Sequence, residues 1–128
     1  MIKKILLVLM LLLISTTALA DTQLRMMHNS YCPYCINFMS EVKDEYIRSE
    51  YNTFLPLVIM NLRIKKTHEW IKAHQYLTPI RGTPTFIIWD NEKEREIDRI
   101  VGYANKVWFY ERLNKIIKKY GLKDGKKI

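Results

Sequence analysis

The order of apolar segments constrains the fold of this chain more than any other feature of its sequence. Stretches with apolar residues every three or four positions alternate with short runs rich in branched and aromatic residues. The stretches predict helices at about residues 32–49, 67–77 and 105–120, and the runs predict strands at about residues 22–27, 57–60, 85–89 and 96–101. The resulting order, β-α-β-α-β-β-α, predicts an α/β fold with a small central mixed sheet flanked by helices.

Residues at the ends of these segments help to fix their limits. Thr67 is expected to cap the second helix and Asn105 the third, and Gly121 is expected to end the third helix. A polar turn follows the strand at 85–89, so the last two strands should form an antiparallel hairpin. The first strand–helix–strand unit should form a parallel pair with a right-handed crossover.

The first twenty residues have the pattern of an export signal. Two lysines precede an apolar run at residues 5–14, and Ala18-Leu19-Ala20 fits the small-x-small pattern that signal peptidase cleaves. The run is shorter than the roughly 20 residues of a membrane-spanning helix. We therefore expect a cleaved signal peptide at 1–20, one domain at 21–121 and a basic C-terminal tail at 122–128. The expected location is the periplasm or another extracytoplasmic compartment; an uncleaved membrane anchor is the alternative.

The chain carries a formal net charge of +8. Its basic residues are scattered along the predicted helices and the tail, which is typical of solvated helix faces. The pattern does not favour nucleic-acid binding.

Cys32 and Cys35 are the only cysteines of the chain. A disulfide across two residues restrains the unfolded chain little, so stability does not explain the pair. At a helix N-terminus, unpaired backbone N–H groups favour the thiolate of Cys32, and Cys35 lies one turn further, where it could resolve a mixed disulfide. A metal site is the alternative, with His28 as the nearest third ligand, although a structural zinc site takes four.

The tetrapeptide Cys32-Pro33-Tyr34-Cys35, together with Gly82-Thr83-Pro84 before a strand, resembles the thioredoxin superfamily. The resemblance covers most of residues 21–120 and is closest to the small periplasmic thioredoxins associated with bacterial sulfur oxidation. Glutaredoxins and some periplasmic disulfide isomerases have a similar tetrapeptide. The matching segments are Tyr31-Cys32-Pro33-Tyr34-Cys35, Gly82-Thr83-Pro84-Thr85-Phe86 and Arg99-Ile100-Val101-Gly102-Tyr103.

This resemblance implies a thioredoxin-like fold in which Cys32 and Cys35 are the catalytic pair. It also implies that Pro84 is a cis-proline and that Thr83 and Pro84 hold the backbone of an extended substrate. Tyr31 and Tyr34 are the aromatic candidates for shaping substrate binding. No cofactor is required.

The sequence departs from the common cytosolic thioredoxins at three places. Pro33-Tyr34 replaces Gly-Pro between the cysteines, and Tyr31 replaces the usual tryptophan. Met26 occupies the position of the buried acid that relays a proton from the second cysteine, so Cys35 must pass its proton to water or to another group. No residues match those with which glutaredoxins grip glutathione.

The expected activity is disulfide exchange with protein clients, in the reducing direction, by a monomer that receives electrons from a thiol-type membrane donor. A disulfide oxidase or isomerase of the same fold is one alternative, and a copper- or zinc-binding protein is another. His28 could support the Cys32 thiolate, but a polar residue at a strand end is the favoured interpretation. Met26, Met39 and Met60 are interpreted as core residues, with a copper role as the weaker alternative.

Overall fold

A computed structural model of the chain describes residues 2–3, 21–74 and 77–124. Most of the predicted signal peptide and the last four residues of the predicted tail lie outside the described residues. The elements are strands β1 (Thr22–His28), β2 (Leu57–Asn61), β3 (Thr85–Asp90) and β4 (Arg95–Val101), and helices α1 (Pro33–Phe38), α2 (Asp44–Arg48), α3 (Tyr51–Phe54), α4 (Lys65–Ala73) and α5 (Lys106–Tyr120).

One sheet joins the four strands in the order β2-β1-β3-β4. Strand β1 runs parallel to β2, with Met26 opposite Ile59, and antiparallel to β3, with Met26 opposite Phe86. Strand β4 returns antiparallel to β3, which completes the predicted hairpin. The predicted α/β fold with a mixed sheet flanked by helices is confirmed.

The two faces of the sheet bury separate apolar clusters. Side chains of a strand alternate between faces, so Leu24 and Met26 point to one cluster and Met27 to the other. The larger cluster packs against α1 and α5, whereas the smaller one packs against α4 through Trp70. Every residue of β3 is buried, as expected of a strand covered on both faces.

Four aromatic rings form the centre of the larger cluster. The ring centroid of Phe109 on α5 lies 5.1 Å from that of Phe38 on α1 and 4.9 Å from that of Phe86 on β3. The ring of Tyr103 packs edge-on against Phe38 at 5.6 Å. These contacts attach both helices to the sheet.

A π-helical turn, Met39–Lys43, connects α1 to α2, so the helical stretch predicted from residue 32 to 49 is continuous but not uniform. The turn carries Glu41, whose Oε2 accepts a hydrogen bond of 2.5 Å from the Tyr103 hydroxyl. Burial is the main reason that the pKa of Tyr103 is raised, and the bond to Glu41 adds to it. The turn therefore ties the first helical stretch to the segment after β4.

The prediction for the second helix was wrong at both ends. Helix α4 begins at Lys65 rather than Thr67, because the chain already turns after β2, where Ile64 donates a backbone hydrogen bond of 3.1 Å to Asn61. Thr67 lies inside the helix and is buried. The helix ends at Ala73, with His74 as its C-cap, four residues before the expected end.

The predicted limits of the last helix are confirmed. The Asn105 side chain accepts a hydrogen bond of 2.9 Å from the Trp108 backbone, and Gly121 adopts the left-handed conformation at φ 61°. The next residue, Leu122, is buried against the larger cluster. The first residues of the predicted tail, Leu122–Asp124, form a 3₁₀ turn and are therefore structured.

Among the described residues, no helix combines the length and the apolar character needed to cross a membrane.

We expect Phe109→Ala to lower the free energy of unfolding by about 3–5 kcal/mol, because it removes the ring that joins both helices to the sheet. Val107→Ala on the same helix is the matched control. Its side chain is 67% exposed, so the change should stay within about 0.5 kcal/mol. Urea unfolding measures both values, and equal losses would show that the aromatic cluster is not the core of the fold.

Candidate active site

Cys32 is the N-cap residue of α1. Its extended backbone, at φ −80° and ψ 118°, leaves the helix to begin at Pro33. The Cys35 backbone N–H donates a hydrogen bond of 3.3 Å to the Cys32 sulfur, so the sulfur satisfies one of the free donors at the helix end. The Cys32 backbone donates to the Asn29 carbonyl at 3.0 Å, which fixes the loop between β1 and α1. The predicted placement of the pair at a helix start is confirmed.

The loop before β3 lies directly against this sulfur. The Thr83–Pro84 peptide bond is cis, and the Cys32 thiol donates a hydrogen bond of 3.2 Å to the Thr83 carbonyl. The Pro84 carbonyl in turn accepts a bond of 2.8 Å from the Gly102 backbone. Gly102 has φ 90°, a conformation that favours glycine. Two segments distant in sequence thus hold the loop beside the redox pair.

The two thiols occupy different environments. Cys35 is fully buried, and this burial is the main cause of its raised pKa. Cys32 is partly exposed; burial alone would raise its pKa, but hydrogen bonds with Thr83, Cys35 and the Tyr34 backbone outweigh it and lower the pKa. Since the thiolate is the reactive form, Cys32 is the thiol suited to attack.

The two candidate substrate-binding tyrosines flank Cys32 on the surface. Tyr31 is 73% exposed and Tyr34 is 58% exposed. The Arg63 guanidinium lies 4.5 Å from the centroid of the Tyr31 ring, in cation–π contact. Arg63 could not be identified from the sequence, because no local pattern links a cation after β2 to a loop thirty residues earlier.

His28 lies at the end of β1, as expected of a polar residue at a strand end, but it is only 8% exposed. Within the described residues, its Nδ1 atom has no hydrogen-bond partner. Burial lowers its pKa, which favours the neutral imidazole. By strand alternation it shares the face of Met26, which is fully buried in the larger cluster.

The three methionines of the sequence analysis pack as core residues: Met26 and Met39 belong to or contact the larger cluster, and Met60 belongs to the smaller one. In the part of the chain that the structure describes, no three His, Cys, Asp or Glu side chains are grouped so that they could hold a metal ion.

The fold and the Cys32–Cys35 pair define the class of protein: a thioredoxin-like thiol–disulfide oxidoreductase. The family model of the thioredoxin-like domain matches residues 15–117, and the chain belongs to this family. No curated protein sequence matches the chain.

Solved structures share the fold at low sequence identity. The periplasmic thioredoxin SoxS from Paracoccus pantotrophus, in its reduced form, is 21% identical at a TM-score of 0.60, over 77% of this chain and 97% of that one. A thioredoxin from Malassezia sympodialis is 14% identical at a TM-score of 0.57, over 75% and 77% of the two chains. A thioredoxin from Aeropyrum pernix is 16% identical at a TM-score of 0.52, over 76% of each chain.

We expect the two thiols to ionise in a fixed order. Cys35→Ser retains the thiol with the lowered pKa, and Cys32→Ser retains the thiol with the raised pKa. Thiolate absorbance near 240 nm, followed against pH, should therefore rise at lower pH in Cys35→Ser than in Cys32→Ser. The reverse order would contradict the assignment of Cys32 as the attacking thiol.

We expect His28 to make folding stability depend on pH below its ordinary pKa of 6.5. A lowered pKa in the folded state means that the unfolded chain binds the proton more readily. Stability is therefore complete above pH 6.5 and falls as the pH drops toward the folded pKa. In the His28→Gln variant, folding stability should no longer depend on pH in this way between about pH 6.5 and 5.5. This range lies above the ordinary pKa values of carboxylates.

His68→Gln is the matched control for this measurement, since His68 is exposed on α4. Chemical unfolding at a series of pH values gives the free energy of unfolding as a function of pH. The slope of this function should be the same for His68→Gln as for the unsubstituted protein. If His28→Gln also keeps that slope, the buried imidazole is not the cause.

Proposed function

We propose that this protein is a periplasmic reductase of protein disulfides. The observation that carries the proposal is the pairing of a partly exposed Cys32 thiol at a helix N-terminus with a buried Cys35 one turn behind it. The first thiol can reach a client, whereas the second can reach only the first.

The reaction has two exchange steps. The Cys32 thiolate attacks one sulfur of the client disulfide, and the other client sulfur leaves as a thiolate and takes up a proton. Cys35 then loses its proton and attacks the Cys32 sulfur, which releases the second client sulfur as a thiolate that is also protonated. The products are a client dithiol and the Cys32–Cys35 disulfide, so two electrons and two protons pass to the client.

The loop at Thr83 and Pro84 is the proposed support for the client backbone. Thr83 is half-buried and its carbonyl lies 3.2 Å from the attacking sulfur, so a client segment passing this loop would bring its disulfide to Cys32. Tyr31 and Tyr34, which flank Cys32 along the chain, supply exposed aromatic surface. The surface formed by these residues and the loop is the proposed client site.

The reducing direction rests on the sequence resemblance to the small periplasmic thioredoxins of bacterial sulfur oxidation, and two observations support the location. The sequence of residues 1–20 fits an export signal, and one protein of similar fold is described as a periplasmic thioredoxin. An oxidising compartment would keep the pair as a disulfide, so a reductase there needs a thiol-type donor in the membrane to restore the dithiol.

A monomer is the proposed state in solution. Strand β2 lies at one edge of the sheet, where exposed backbone groups could pair with another chain. The Leu57 N–H already donates to the Asn52 side chain at 3.0 Å, and the Asn61 carbonyl accepts from Ile64 at 3.1 Å. These bonds occupy outward-facing backbone groups at the two ends of β2, which shortens the edge available to a second strand.

A disulfide oxidase is the second candidate function. The lowered pKa of Cys32 stabilises its thiolate, and stabilising the reduced form makes a redox pair more oxidising. Disulfide exchange itself is the same in both directions, so the reduction potential separates the two functions.

We expect the Cys32–Cys35 pair, equilibrated against glutathione and dithiothreitol, to have a reduction potential nearer about −270 mV than about −120 mV. A potential at the oxidising end of this range would assign the protein to disulfide donation. Failure to form the intramolecular disulfide at all would favour the metal-binding alternative.

We expect Cys35→Ser to accumulate a mixed disulfide with a disulfide-bonded client protein, because Cys32 can attack but nothing resolves the product. Cys32→Ser should trap none, since Cys35 is buried. Non-reducing electrophoresis after acid quenching detects the adduct. Equal trapping by both variants would show that the roles of the two cysteines are not separate.

A further inference from the structure

The loops at the ends of the strands beside Cys32, which we call the active-site edge of the sheet, form one continuous surface. Strands β1 and β2 are parallel and end at this edge, and the antiparallel β3 begins there. Two hydrogen bonds and a cation–π contact join the loops: the Asn61 side chain donates to Ser30 at 3.2 Å, Arg63 covers Tyr31, and Cys32 bonds Thr83. Residues of these loops therefore contact either the attacking sulfur or the residues that precede Cys32.

The charges on this surface have a single sign. Residues 29–36, 61–66 and 78–84 contain four cations and no Asp or Glu. Lys65 pairs with Glu69 at 3.7 Å, which offsets part of its charge. Arg63, Lys66 and Arg81 are the other three, and all are exposed. We call these three residues the basic rim.

The opposite edge of the sheet has charges of both signs. Asp21 and the loops at residues 49–56 and 91–94 contain four acidic residues and one lysine. The end of α5 adds cations at this edge, where Lys123 pairs with Glu50 at 3.2 Å. The loops at the active-site edge therefore differ from the opposite edge in that they contain no acidic residue.

A surface whose charges have a single sign orients a charged partner before contact. Electrostatic attraction across a complementary surface raises association rates by about 10 to 10³-fold at low salt. An arginine that stacks on an aromatic ring can still present N–H groups to a carboxylate. Arg63 is held in this way over Tyr31, at the margin of the proposed client site.

We propose that the basic rim selects acidic clients, namely protein segments in which the reactive disulfide is flanked by aspartate or glutamate. The rim attracts the acidic flanks, the exposed rings of Tyr31 and Tyr34 contact the apolar parts of the segment, and Cys32 meets the disulfide. This inference rests on the proposed exchange of disulfides with protein clients and names the chemical class of those clients.

The test uses three disulfide-bonded peptides of equal length with acidic, neutral or basic flanks. The reduced protein should react at least about tenfold faster with the acidic than with the basic peptide at low salt. Raising the ionic strength to about 0.5 M should shrink the ratio severalfold, because it screens exposed charges. Stopped-flow measurement of the second-order rate constants gives the ratio directly.

A charge-reversal variant assigns the preference to the basic rim. The triple variant Arg63→Glu, Lys66→Glu and Arg81→Glu should lose the preference for the acidic peptide or invert it. The control variant Lys93→Glu, Lys115→Glu and Lys118→Glu changes the net charge equally at exposed positions elsewhere. It should keep most of the original ratio.

The outcomes separate this inference from the proposed function. Equal rates for all three peptides would overturn the selection of acidic clients and leave disulfide exchange standing, whereas no reaction with any peptide would overturn the proposed function itself. Equal peptide rates, with rim-dependent binding to phosphatidylglycerol vesicles, would assign the rim to a membrane surface instead. If both triple variants lost the preference for the acidic peptide equally, the preference would be due to net charge and the role of the rim would be overturned.

Discussion

The antiparallel pairing of β1 with β3 is the constraint on which the site depends. This pairing brings the end of β1 and the beginning of β3 to the same edge of the sheet, although more than fifty residues separate them. The redox helix follows the first of these points, and the Thr83–Pro84 loop precedes the second. The bond between Cys32 and Thr83 is a consequence of strand register, which the buried residues on both faces of β3 hold in place.

The different properties of the two cysteines arise from one turn of helix. The first lies where backbone N–H groups are free to stabilise negative charge, and the second lies where the helix has turned toward the apolar core. Burial therefore acts on both thiols, but only Cys32 gains enough hydrogen bonds to offset it. No charged side chain is needed for this difference, which is consistent with a methionine at position 26.

Local signals in the sequence were enough to predict the strands, the two ends of α5 and the start of the redox helix. Each depends on neighbours within a few positions. For example, the Asn105 side chain caps α5 by accepting a hydrogen bond from the Trp108 backbone. The stacking of Arg63 on Tyr31 and the burial of His28 depend on pairings between distant segments, which periodicity does not encode. The early start of α4 escaped prediction for a different reason: the turn after β2 set it through the backbone, and Thr67 was not needed as a cap.

The π-helical turn between α1 and α2 has a consequence for comparing this chain with others. A turn closed by i→i+5 bonds holds one residue more than an α-helical turn does. The buried residues Cys35, Phe38, Val42 and Tyr46 nevertheless keep the three- and four-residue spacing of one α-helical face. An alignment with a chain whose helix is regular here therefore needs no gap within Met39–Lys43 to keep these four positions matched.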